Sequence, residues 1–134
     1  QPQSPGRSMK ICLIVDDSKI VRKVVRRIVE VLGFDILEAE NGREAVDQCR
    51  AHTVDVMILD WNMPVMDGME CMKEIRADAS ISQPKIIFCT TENEFSKIQQ
   101  AMMNGADEYV MKPFDEAIIA GKMRQLGIID DEAQ

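Results

Sequence analysis

Three aspartates and one lysine are the residues from which this chain could build chemistry: the pair Asp16-Asp17, Asp60 within LDWNMPVMDG, and Lys112 ahead of Pro113. Carboxylates within several ångströms of one another repel, and one or more takes up a proton unless a cation intervenes. A few hard oxygen donors suit Mg²⁺, which keeps several of its waters and readily shares a phosphate. A lysine adds a fixed positive charge on the other side. A carboxylate nucleophile, a divalent ion and a lysine are arranged for phosphoryl transfer, where positioning and charge neutralisation supply most of the catalysis. Each residue also has a plain reading, because acids often begin loops and an Asp-Asp pair alone is ambiguous. The elements that carry them decide between the two.

From Met9 the chain alternates strand-like and helix-like segments five times. Residues 11–15 are continuously apolar. Between Ser18 and Leu32 the apolar positions 20, 21, 24, 25, 28, 31 and 32 form a helical stripe closed by Gly33. A second strand over 34–39 precedes a helix over 42–51, and a third strand over 54–59 precedes a helix over 66–77. The fourth strand spans 85–89 with a helix over 95–103. The fifth spans 108–111 with a helix over 115–126. Asp67-Gly68 reads most simply as a turn. Such alternation implies an α/β fold, a parallel sheet covered on both faces by helices.

Strands one, three and four are almost unbroken apolar runs, as strands buried on both faces are. Strands two (FDILEA) and five (DEYVMK) carry charges, as edge strands do. Strands one, three and four at the centre with two and five at the edges fit the order 2-1-3-4-5, that of a flavodoxin-like (βα)5 doubly wound sheet with its crevice between strands one and three. In a parallel sheet all carboxyl ends share one rim. Strand one ends at Asp16-Asp17, strand three at Asp60, strand four at Thr90-Thr91 and strand five at Lys112-Pro113. Four polar endings on one rim make the plain loop reading a poor one.

Length and composition narrow the function classes. A chain of 134 residues with 46% hydrophobic content builds one sizeable core, not two. The net charge is −7, and the basic cluster Arg22-Lys23 and Arg26-Arg27 has the spacing of a solvated helix face, which argues against direct nucleic-acid binding. No apolar run approaches the ~20 residues that span a bilayer, and a cytoplasmic setting is expected. Cys12, Cys49, Cys71 and Cys89 form no CxxC pair and read as buried free thiols. The lone His52 reads as a loop residue. Among ten methionines, Met69 and Met72 read as core filler, whereas Met63 and Met66 are candidates to line the site mouth. Residues 1–8 resemble an expression-tag remnant, 9–127 form the domain and 128–134 an acidic tail; no output domain is expected.

Over about residues 9–127, the order and spacing of Asp16-Asp17, DWNMPVMDG, Thr90, Tyr109 and Lys112-Pro113-Phe114 resemble the receiver domain of two-component response regulators, in the single-domain chemotaxis form. The resemblance implies a phosphorylation-controlled switch, not a turnover enzyme, that takes a phosphoryl group on Asp60 from a histidine kinase or histidine phosphotransfer protein. It implies Mg²⁺ held by the carboxylates of Asp17 and Asp60, by the Asn62 backbone carbonyl and, through water, by Asp16. Lys112 would pair with the phosphoryl oxygens, and the Lys-Pro bond is commonly cis. Thr90 would swing its hydroxyl to the phosphoryl group with Tyr109 turning inward behind it, while Asn62, Thr91 and Glu92 would tune its lifetime. Thr91 stands where receivers often carry Ala. The target would bind on the face formed by the fourth helix, fifth strand and fifth helix, within which Gly121 is a departure. The alternatives are a phosphate sink or relay, or a receiver excised from a larger regulator.

Rival classes lack their residues. A P-loop NTPase needs a Gly-rich GK[ST] loop after strand one, where this chain has DDSK. A flavodoxin needs a hydroxyl- and Gly-rich phosphate loop there. A haloacid-dehalogenase-type phosphatase needs a second acid two residues after its nucleophile, where Asn62 stands.

Overall fold

The computed structural model describes residues 9–91 and 94–130. Its elements in chain order are β1 (Ile11–Val15), α1 (Lys19–Val31), β2 (Asp35–Ala39), α2 (Gly42–Ala51), β3 (Val56–Asp60), α3 (Gly68–Ala77), β4 (Lys85–Thr90), α4 (Phe95–Met103), β5 (Glu108–Met111) and α5 (Glu116–Gln125). The five strands form one parallel sheet in the order β2-β1-β3-β4-β5. Both the expected alternation and the expected order are present.

Side chains alternate across the pleat, so each buried strand feeds two cores. Leu13, Val15, Met57, Leu59, Ile86 and Phe88 face one way, toward Val46 of α2, Met72 and Ile75 of α3 and Ala101 of α4. Cys12, Ile14, Val56, Ile58, Ile87 and Val110 face the other, toward Val25 and Val29 of α1 and Ile119 and Met123 of α5. This second core continues through Ile128, which is buried, with Ile129 packed against it. All four cysteines are buried and free. Burial pushes the Cys49 thiol up to about 11 and Cys71 to about 12, and raises Cys12 and Cys89 still further. None is a nucleophile near neutral pH.

Three details differ from expectation. The third helix begins at Gly68, because Asp67 is its N-cap: the Asp67 carboxylate accepts from the Glu70 amide at 2.9 Å, and the Glu70 carboxylate accepts from the Asp67 amide at 3.0 Å. Asp67-Gly68 is therefore a capping box and a helix start rather than a simple turn. The cluster Arg22/Arg26 is not a purely solvated face, since both guanidinium groups donate to the Glu38 carboxylate of β2, at 2.9 and 2.7 Å. Met63 is buried in the core and Met66 packs against that core, so neither lines the site mouth. His52 is an exposed residue at the end of α2, as expected.

At the amino-terminal edge of β4 and β5 a single side chain closes the sheet. Arg76 donates to the Gly105 and Pro84 carbonyls and to the Gln83 side chain at 2.8–2.9 Å, and pairs with Asp107 at 2.9 Å; Asp107 in turn accepts from the Ile86 amide at 2.8 Å. Removing the guanidinium leaves two carbonyls and a carboxylate short of a partner. Arg76→Ala is expected to cost about 2 kcal/mol in urea unfolding, because the lost groups are only partly shielded from water. Equal stability of the two forms would remove Arg76 as a fastener.

Candidate functional site

Strand register brings the polar endings together. Val15 pairs with Leu59, so Asp16 emerges beside Asp60; Asp60 pairs with Cys89 and Thr90 with Met111. The Lys112 amide then donates to the Thr90 carbonyl at 2.8 Å. Four strand ends thus deliver Asp16, Asp60, Thr90 and Lys112 to one cleft of about 330 Å³, whose walls also include Asp17, Ser18, Val21, Trp61, Asn62, Thr91 and Glu94. Asp16, Asp60 and Thr90 are buried and polar, whereas Asp17 and Asn62 lie open to solvent at the mouth.

Carboxylate oxygens of Asp16, Asp17 and Asp60 lie within 4.8 Å of one another. Lys112 answers two of them, its Nζ donating to Asp16 at 2.8 Å and to Asp60 at 3.0 Å. The second Asp16 oxygen accepts from the Ser18 amide at 2.9 Å, while Arg22 donates to the Asp16 carbonyl at 2.7 Å, so Asp16 is fixed from three sides. Burial pushes the Asp60 carboxyl up from 3.8 to about 6; Lys112 pulls it down and the charges of Asp16 and Asp17 push it up again. Burial opposes the Lys112 ammonium, but its bonds to Asp16 and Asp60 outweigh that and raise its pKa. Three carboxylates against one ammonium leave a formal deficit of two positive charges. The all-oxygen donor set suits a hard divalent cation such as Mg²⁺.

The Thr90 hydroxyl is held weakly, donating to the Thr91 carbonyl at 3.4 Å. Tyr109 is half-buried against the core with the Lys122 ammonium 4.7 Å from its ring centroid, and Lys122 is also paired with Glu108 at 2.9 Å. The Lys112-Pro113 peptide bond is cis. Glu92 lies outside the described residues. Ser18, Val21, Trp61 and Glu94 were missed in the sequence. Trp61, next to Asp60, was legible from adjacency alone, whereas no periodic signal in the sequence singles out Glu94.

Residues 12–124 match the family model described as the response regulator receiver domain. The chain belongs to the receiver domain family. Among relatives of this receiver is the chemotaxis protein CheY1 of Helicobacter pylori, 36% identical over 113 residues that cover 83% of this chain and 91% of the relative. Among solved structures, chemotaxis response regulator CheY4 of Vibrio cholerae superimposes with a TM-score of 0.81 at 32% identity, covering 89% of the receiver and 99% of that chain. A CheX–CheY–BeF3–Mg²⁺ complex from Borrelia burgdorferi superimposes with a TM-score of 0.81 at 28% identity, with 90% of each chain covered. The receiver is a phosphorylation-controlled signalling switch. None of its described helices is long and apolar enough to cross a membrane.

Proposed function

We propose that the receiver takes a phosphoryl group on Asp60 from a histidine kinase or histidine phosphotransfer protein and thereby changes its protein-binding face. The observation that carries this is the Lys112 ammonium bridging Asp16 and Asp60 inside a cluster of three carboxylates at the mouth of the sheet. Three carboxylates against one ammonium favour a bound cation at this place. An Asp60 oxygen attacks phosphorus, the phosphorus–nitrogen bond to the donor imidazole breaks, and the nitrogen keeps the electron pair and takes up a proton. Lys112 keeps its hold on Asp16 and offers its remaining protons to the phosphoryl oxygens. Asp16, Asp17, Asp60 and the Asn62 carbonyl would hold Mg²⁺, which when bound neutralises phosphoryl charge.

Thr90, with a hydroxyl only weakly engaged, turns toward the new phosphoryl oxygens, and Tyr109 follows behind it. The altered surface is the one formed by α4, β5 and α5, where Phe95, Met102, Met103 and Ile118 are exposed. Asn62 and Thr91, together with Glu92, set how fast water removes the group. Residues 9–127 act as the receiver unit in a cytoplasmic setting, and its catalysis is confined to its own phosphorylation and dephosphorylation. To test this, the protein is loaded from a small phosphodonor with Mg²⁺ and the acyl phosphate is mapped by peptide analysis. Label on Asp60 is expected; label elsewhere, or none, overturns the assignment.

Thr91 supplies a second measurable consequence. It lines the cleft and is β-branched, so its side chain has little freedom at χ1 to move out of the path of an in-line water. Thr91→Ala is expected to raise autodephosphorylation and small-donor uptake by roughly two- to tenfold, about 0.4–1.4 kcal/mol of barrier, with stability almost unchanged because Thr91 is exposed. Phosphoprotein decay at matched Mg²⁺ checks it, and an unchanged rate would transfer the role to Asn62.

A further inference from the structure

A cation beside the cleft residue Trp61 plays no part in the chemistry above. Trp61 follows Asp60 directly, and its backbone is anchored on both sides: its amide donates to the Cys89 carbonyl at 3.3 Å and its carbonyl accepts from the Gly68 amide at 2.8 Å. Over its ring, 4.5 Å from the centroid, sits the ammonium of Lys97 from the first turn of α4. That helix has few other fastenings. Glu94 at its N-cap makes no side-chain cap bond, its buried residues are Ile98 and Ala101, and Phe95 and Met103 are 60% and 86% exposed. A lysine over an aromatic ring is a common surface contact. Here it joins the residue next to the acceptor to the first turn of a lightly held helix.

We propose that Lys97 is a positioning residue that pins the start of α4 to the acceptor loop through Trp61, and that its ammonium leaves the ring for the phosphoryl oxygens when Asp60 carries a phosphoryl group. A ring face offers an ammonium only the quadrupole of its π-system, whereas phosphoryl oxygens beside Trp61 offer full negative charge and charge-assisted hydrogen bonds. A divalent cation alone has the opposite sign of effect: it repels the ammonium from the cleft and leaves it on the ring. The contact thus forms a route from Asp60 to α4 separate from Thr90 and Tyr109. The inference rests on Asp60 being the acceptor.

The protein has one tryptophan, so the contact has its own signature: ring current from Trp61 shifts the Lys97 ε-methylene protons upfield in NMR spectra. The experiment follows those protons in metal-free protein, with Mg²⁺ alone, and with Mg²⁺ plus beryllofluoride, while ¹⁹F resonances report loading of Asp60. The upfield shift is expected in the first two states and lost in the third. In Lys97→Met, amide exchange across 95–103 is expected to be roughly two- to fivefold faster in the metal-free protein. Lys97→Arg, which preserves a cation for the ring, should restore it. Random-coil ε-methylene shifts in the metal-free protein, shifts unmoved while ¹⁹F shows loading, or a Met variant that exchanges like the parent each overturn the proposal and leave the acceptor intact. Absence of any loading overturns both.

Discussion

Asp60→Asn is expected to abolish phosphoryl uptake and, at the same time, to make the metal-free protein more stable at neutral pH. The first effect follows from removing the proposed nucleophile. The second follows from the site's electrostatics. Burial and the charges of Asp16 and Asp17 lift the Asp60 carboxyl to about 6 against the pull of Lys112. Between about pH 4 and 6 the folded state therefore holds a proton that the unfolded chain, with the ordinary value of 3.8, has released. Stability of the parent protein consequently falls as pH rises from about 4 to 6 and stays low above that window. That pKa rise corresponds to at most about 3 kcal/mol, and Asp60 is nearly enclosed at 7% exposed, so little of it is lost to solvent screening. Lys112 gives up a charged partner for a neutral one, so a gain of about 1–3 kcal/mol is expected, roughly 4–10 °C in melting temperature.

The gap should close as pH is lowered through 6 toward 4. Millimolar Mg²⁺ should raise the parent's melting temperature more than the variant's, since it relieves the same repulsion and has one carboxylate fewer to bind in the variant. Melting curves from pH 4 to 8, with and without Mg²⁺, check both signs. A variant less stable than its parent at pH 7.5 would mean that the Lys112 contact outweighs the repulsion.

Gly68→Ala is expected to be among the most damaging single-methyl changes in the molecule. A Cβ at this position would collide with the Asp60 carbonyl and lie 2.7 Å from the Trp61 Cα, with backbone rather than a flexible side chain in the way. The Gly68 amide also donates to the Trp61 carbonyl at 2.8 Å, so the helix start cannot back away without breaking that bond. Relief requires moving either α3 or the end of β3, and Asp60 moves with the latter. A loss of about 3 kcal/mol in urea unfolding is expected, with reduced uptake even where the protein remains folded. Gly121→Ala is the matched control. Its Cβ would meet nothing within 4 Å in the interior of α5, so it should stabilise by about 0.5–1 kcal/mol. If both changes prove neutral, the close approach of α3 to the end of β3 does not constrain the site.

Much of this arrangement was legible because it is written in local periodicity. The stripe between Ser18 and Leu32, the apolar run before Asp60 and the charged strands two and five place every element within about two residues, and burial on both faces of β1, β3 and β4 separates the central strands from the edges. Asp67 was misread because Asp-Gly is a turn signal by itself, although Glu70 three residues on carried the competing capping-box signal. The fate of Arg22 and Arg26 was hidden, since their partner Glu38 lies on a neighbouring strand and helix periodicity does not report cross-element pairs. Met63 and Met66 show a related limit: in an irregular loop, apolar character says that a side chain is to be covered without saying by what. Lys97 over Trp61 joins two elements far apart in sequence, and no spacing rule finds it.

The bonds from Lys112 to Asp16 and Asp60 reach back across 96 and 52 residues of chain. Contacts of such long sequence separation form late, after the intervening loops have been closed. A growing or partly collapsed chain already displays the aspartates of β1 and β3 but has no β5 to deliver the ammonium. The ammonium that holds Asp16 and Asp60 is therefore in place only once β5 completes the sheet, so on the proposed reading a chain short of β5 would carry the aspartates without the means to use them.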